Sequence, residues 1–141
     1  MDSNDPFPRT VLLVDHNPAD LASLKRLLAN AGIRLGIAVA RSGEEAISFL
    51  RGTLAGGTKP RLMLIDVDVP GGGVEVVCWA RSRAALRDMR IVGLTSDRNS
   101  ILREQAHALQ VDRVLRKMPT VAELTSLFPE LPTKRDPTTS G

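Results

Sequence analysis

The chain has 141 residues, 43 % of them hydrophobic, with a formal net charge of +3 and one cysteine. That is enough for one ordinary domain with a buried core, and too apolar for a disordered chain. A disulfide framework is excluded because one cysteine cannot pair within the chain, a helical membrane span because no apolar run is long enough, and with 3 % aromatics and scattered arginines no nucleic-acid partner is expected.

Met1 to Pro8 is polar and lacks the apolar core of a signal peptide, so a cytoplasmic location is the default expectation. Residues 1–9 and 129–141 are rich in Pro, Ser, Thr or charge and read as flexible tails around one domain over 10–128. Thr10 to Asp15 (TVLLVD) reads as a strand. Asn17 and Pro18 open a helix as cap and first residue, Leu21, Leu24, Leu28 and Ala31 give it one apolar stripe, and Gly32 ends it. Leu35 to Ala40 is a second strand. Ser42 and Glu45 form a capping pair for a helix carrying Ala46, Ile47, Phe49 and Leu50. After a Gly-rich loop with Pro60, Leu62 to Ile65 is continuously apolar, as a strand covered on both faces requires.

Val74 to about Leu86 is expected as a third helix, and Cys78 within it as a buried, inert thiol. Ile91 to Leu94 is a fourth strand, followed by a polar turn, Thr95 to Ser100, and a helix through Leu109. Val111 to Leu115 is a fifth strand, and Thr120 with Glu123 caps a last helix ending near Phe128. Strict alternation of strand and helix argues for a doubly wound α/β fold, with a parallel sheet and helices on both faces. Ligands of such sheets sit beyond the carboxyl ends of the strands.

The polar residues at those ends are Asp15 and His16 after the first strand, Asp66 and Asp68 at the third, Thr95 and Ser96 at the fourth, and Lys117 past the fifth. A carboxylate can attack a phosphoryl group and hold it as an aspartyl phosphate. A divalent metal offsets the repulsion between two anions, and oxygen ligands suit Mg²⁺. A hydroxyl and an ammonium can bind the transferred oxygens. In that scheme Asp66 attacks, Asp15 helps hold metal, and Thr95 and Lys117 grip the phosphoryl group.

Four stretches carry a resemblance. VLLVDHNPADLASLKRLLANAG is similar to the opening of response-regulator receiver domains, and LMLIDVDVPGG to their phosphoacceptor strand and loop. IVGLTSD and VDRVLRKMP resemble their Thr/Ser and Lys strands, so the likeness covers about residues 9–128. It implies a flavodoxin-like, five-stranded parallel sheet of order 2-1-3-4-5. It implies a signalling domain rather than an enzyme, taking a phosphoryl group on Asp66 from a sensor histidine kinase or phosphotransfer protein. Without an output domain the chain looks most like single-domain regulators, including those paired with bacterial phytochrome kinases, and it would act on a downstream protein target by contact. Homodimers built on the fourth helix, fifth strand and fifth helix are common in the family.

The resemblance also exposes departures. The family normally has two acidic residues after the first strand; here Asp15 is the first and His16 takes the place of the direct metal ligand. Imidazole is a poor ligand for Mg²⁺ and suits softer metals and, less well, Mn²⁺. Three readings stand side by side: weakened Mg²⁺ binding with phosphorylation retained, selection of another metal, or a receiver that works without phosphate. By the same resemblance the backbone carbonyl of Asp68 is a metal ligand. The loop Gly71-Gly72-Gly73 is one residue shorter than usual and is expected to be mobile. The family's Lys-Pro pair is interrupted as Lys117-Met118-Pro119, so a different aim for Lys117 is expected, and Val114 stands where many receivers carry an aromatic switch residue.

His107 reads as a surface residue, Trp79 as packing, and Arg81, Arg83, Arg87 and Arg90 as a solvated basic face. Two other functions compete. One is a phosphorylation-independent pseudo-receiver adaptor. The other is a phosphatase of the haloacid-dehalogenase type, which LIDVDV resembles, with Asp66, Asp68, Thr95 and Lys117 in the right order. Against it, no acidic pair follows Lys117, and two strand–helix units precede Asp66.

Overall fold

Large apolar side chains occupy both faces of the central strands, so those strands can only be stable with helices on each side. That arrangement is found in the structure, a computed structural model that describes residues 10–32, 36–96, 104–105 and 108–128. β1 (Thr10–Val14), β3 (Leu62–Asp66) and β4 (Arg90–Thr95) form the buried centre. β2 (Gly36–Ala40) and β5 (Arg113–Arg116) flank it, giving an all-parallel sheet of order β2-β1-β3-β4-β5.

The period-two alternation of the strands divides the core. On one face Leu12, Val14, Met63, Ile65 and Ile91 meet α2 (Gly43–Leu54) and α3 (Gly73–Arg81) through Ala46, Leu50, Val76, Val77 and Ala80. On the other, Val11, Leu13, Leu62, Leu64, Val92 and Leu94 meet α1 (Pro18–Asn30) and α4 (Val121–Thr125) through Leu21, Leu24, Leu28 and Leu124.

The expected helix starts hold at atomic level. Asn17 Oδ1 accepts from the amides of Ala19 and Asp20, and Gly32 follows α1 with φ +76°. Thr120 and Glu123 make a reciprocal capping box. Ser42 Oγ accepts from Glu45 N, but the Glu45 carboxylate returns to the amide of Arg41 instead of the cap's own.

Other expectations need correction. The third helix stops at Arg81, because the Ser82 hydroxyl donates back to the Trp79 carbonyl and the chain turns extended at Arg83 before a short 3₁₀ turn, Ala84–Leu86. Cys78 is exposed: at 3.6 residues per turn, the burial of Gly73, Val76, Val77 and Ala80 leaves position 78 outside. Arg81 is no solvated surface charge. Its guanidinium donates to the carbonyls of Met89 and Gln110 at 2.8 Å and to Asp112 at 3.0 Å, stitching α3 to the start of β5. Half-buried Trp79 packs as expected, with the Arg83 guanidinium 4.5 Å from its ring centre. Both tails, His107 and most of the expected fourth helix lie outside the described residues.

Candidate functional site

Parallel strands deliver their carboxyl ends to one rim, and the polar residues predicted to share it do so. Asp15 directly follows β1, Asp66 closes β3, Thr95 closes β4 and Lys117 directly follows β5. Asp15 and Thr95 are fully buried and Asp66 nearly so. Asp66 is in register with Leu94, which places Thr95 one step further along the neighbouring strand. The amide of Lys117 donates to the Thr95 carbonyl at 2.8 Å, fixing where the lysine leaves the sheet.

Both buried carboxylates are oriented by the turns that follow them. Asp15 Oδ1 accepts from the amide of Asn17 at 2.9 Å, and Asp66 Oδ1 from the amide of Asp68 at 2.8 Å. Each thus keeps Oδ2 for the space between the strands, and one ammonium fills it. Lys117 Nζ lies 2.7 Å from Asp15 Oδ2 and 2.9 Å from Asp66 Oδ2. The contact with Asp15 is an ion pair without good hydrogen-bond geometry. The expected diversion of Lys117 is therefore corrected. The Lys117–Met118 peptide is cis and the ammonium sits on Asp66, drawn there by opposite charge in a place where water is scarce.

A third carboxylate shares that ammonium. Asp20 Oδ2 is 2.8 Å from Lys117 Nζ, reaching it from the first turn of α1. Sequence reasoning missed Asp20, because the helix was read for its apolar stripe. The available signal was an acidic residue three positions after an Asn cap, on a helix whose N-terminus must lie at the rim. Burial by itself would push the Lys117 ammonium down, but the carboxylates of Asp15, Asp20 and Asp66 against it outweigh that and hold the group well above its ordinary value.

His16 is exposed at the mouth of this cluster. One ligand atom from each of Asp15, His16 and Asp66 lies within 4.8 Å of the others. Two buried carboxylates and an imidazole can hold a divalent cation, and the imidazole favours Mn²⁺ or a softer ion over Mg²⁺. Asp68 is exposed.

The glycine loop that follows makes backbone hydrogen bonds to α2 and within its own turn. The Pro70 carbonyl accepts from Gly43 N at 2.8 Å, and the Val69 carbonyl from Gly72 N at 2.9 Å. Gly71 and Gly72 have φ of +91° and +88°, which side chains rarely adopt. A Cβ on Gly73 would lie 2.9 Å from Val67 Cα and 3.0 Å from the Asp66 carbonyl oxygen. α3 can therefore begin directly against the backbone of Asp66 only because position 73 is glycine.

The family model for the response regulator receiver domain matches residues 11–128. The fold is similar to that of the phosphorylated cyanobacterial phytochrome response regulator RcpA, with 27 % identity, a TM-score of 0.72, and coverage of 85 % of this chain and 88 % of that one. It is also similar to the Mn²⁺-bound form of response regulator Rcp1, with 26 % identity, a TM-score of 0.71 and the same coverages, 85 % and 88 %. A likeness in fold extends to the receiver domain of sensor histidine kinase PA1611 from Pseudomonas aeruginosa, which has a magnesium ion in its active-site cleft (21 % identity, TM-score 0.72, 87 % and 96 % covered). Among curated proteins, none matches the chain.

Proposed function

This chain belongs to the response regulator receiver domain family, and on that premise we propose that Asp66 accepts a phosphoryl group from a histidine kinase or a phosphotransfer protein. The observation that carries the reading is the Lys117 ammonium held 2.9 Å from a nearly buried Asp66 carboxylate, beside Asp15, at the carboxyl rim of the sheet. In the transfer, an oxygen lone pair of Asp66 attacks phosphorus and the P–N bond of the donor phosphohistidine breaks. The bonding pair stays on the imidazole nitrogen, which takes up a proton. The Asp68 amide on Oδ1 fixes the plane of the attacking carboxylate. Lys117 shields the charge of that carboxylate beforehand and then binds an oxygen of the arriving group, and the Thr95 hydroxyl binds another.

Asp15, Asp66, His16 and the backbone carbonyl of Asp68 would hold a divalent cation. Such an ion offsets the repulsion between the carboxylate and the incoming phosphoryl oxygens. With His16 in place of an acid the site binds Mg²⁺ weakly and is better served by Mn²⁺. The phosphorylated domain signals by contact with a downstream protein target.

His16 also supports a second reading, an adaptor that works without phosphate, and one experiment decides between them. Incubation with acetyl phosphate and either Mg²⁺ or Mn²⁺, followed by intact mass, gives one added phosphoryl group on the wild type and none on Asp66→Asn. Absence of any gain that depends on Asp66, at high donor and with both metals, sinks the phosphoacceptor reading and leaves the adaptor.

A further inference from the structure

We propose that Asp20 is a positioning residue that aims the Lys117 ammonium at Asp66, a role that rests on the phosphoacceptor reading above and extends it to a residue outside the strand ends. Lys117 follows an edge strand of the sheet, and its side chain must cross the rim to reach the third strand. A flexible four-carbon stem needs contacts at its charged end to stay there. Asp15 and Asp66 supply two of them, but both are needed for the cation, and Asp66 also takes up the phosphoryl group. Once those charges are shared, Asp20 is the remaining carboxylate on the ammonium.

The geometry supports positioning rather than metal ligation. The donor atoms within 4.8 Å of one another come from Asp15, His16 and Asp66, and Asp20 is not among them. Asp20 instead approaches the ammonium at 2.8 Å from α1, with its side chain 30 % exposed where that of Asp15 is wholly buried. Its own placement is set by the helix cap, since its amide donates to Asn17 Oδ1 at 3.1 Å and the N-terminal turn of a helix favours a negative charge. Asn17, in turn, donates its amide to Asp15. The turn that orients the buried Asp15 carboxylate thus also places the residue that steadies the lysine. Asp20 is accordingly a third carboxylate at the rim, set on the cationic side chain and not on the metal cluster.

The test has two arms. In the first, the rate of Asp66 phosphorylation by acetyl phosphate is measured at saturating donor and Mn²⁺. Asp20→Asn lowers that limiting rate ~10-fold, as expected for a misplaced charge at a reacting centre, and Asp20→Glu recovers most of it. In the second arm, protein labelled with ¹⁵N-lysine is followed by NMR. The Lys117 ammonium signal, assigned by its loss in Lys117→Arg, exchanges slowly with water in the wild type and quickly in Asp20→Asn, with unchanged thermal stability showing that the fold is kept. A wild-type limiting rate or unchanged ammonium exchange in Asp20→Asn overturns the proposal. So does a rate loss that more metal fully reverses, since that would place Asp20 on the cation. If the wild type takes no phosphoryl group at all, the phosphoacceptor reading fails, and the NMR arm still decides whether Asp20 holds the lysine.

Discussion

Replacing Lys117 by methionine tests the electrostatics of the rim most directly. The stem is kept and the charge is lost from a side chain that is 12 % exposed and touches carboxylates at 2.7, 2.8 and 2.9 Å. Two of those carboxylates are essentially out of water, with side chains 0 % and 9 % exposed, so their uncompensated charge sets the loss. Removing one partner of a buried pair costs about 3–5 kcal/mol, whereas the partly exposed Asp20 contributes only about 0–1 kcal/mol. A loss of about 3–4 kcal/mol at pH 7 is therefore expected from urea unfolding, leaving a folded but weakened domain if the parent has the usual ~5–15 kcal/mol. A lysine raised by folding contributes stability that is fully present below its ordinary value of 10.5 and is lost only above it, so this term is flat between pH 6 and 9. Mn²⁺ should restore the variant, since ligand at a hundred times its Kd adds about 2.7 kcal/mol. A deficit below about 1 kcal/mol refutes the reasoning.

His16→Asp should tighten Mg²⁺ binding by roughly tenfold or more, since a carboxylate replaces imidazole as a ligand for a hard cation; unchanged affinity by calorimetry would remove His16 from the metal site. Gly73→Ala should cost about 1–3 kcal/mol and slow acetyl-phosphate labelling, because the new methyl meets the backbone of Val67 and Asp66, which cannot step aside as a side chain can; a stability within error of the parent would show that α3 shifts freely. Arg81→Met removes charge-assisted bonds to Met89, Gln110 and Asp112 and should cost about 2–3 kcal/mol in the same unfolding assay, with no change in metal affinity. Cys78 should react with a thiol reagent in the native protein nearly as completely as in urea; protection in the native state would contradict its exposure.

Much of the fold was legible in the chain. Continuously apolar strands, helices with Asn17, Ser42 and Thr120 at their starts, and the alternation between them point to a parallel sheet covered on both faces. Such a sheet collects its strand ends at one rim, and that brought Asp15, Asp66, Thr95 and Lys117 together as expected. Local pattern was weaker where a side chain answers to a distant partner. Arg81 looked like surface charge because Met89, Gln110 and Asp112 are separate from it in sequence, and Cys78 looked buried because apolar neighbours say little about which face of a short helix turns outward. The same limit governs the site. The sequence by itself determined the strands and the residues that end them, because these depend on spacing and local hydrogen bonding, and it pointed to the family and the strand order through its resemblance to receiver domains. Only the tertiary structure decided that Lys117 reaches Asp66 despite the displaced proline, and that Asp20 joins it from α1. Both contacts come from charges brought close in a poorly hydrated rim by packing across the sheet, and no spacing along the chain encodes that.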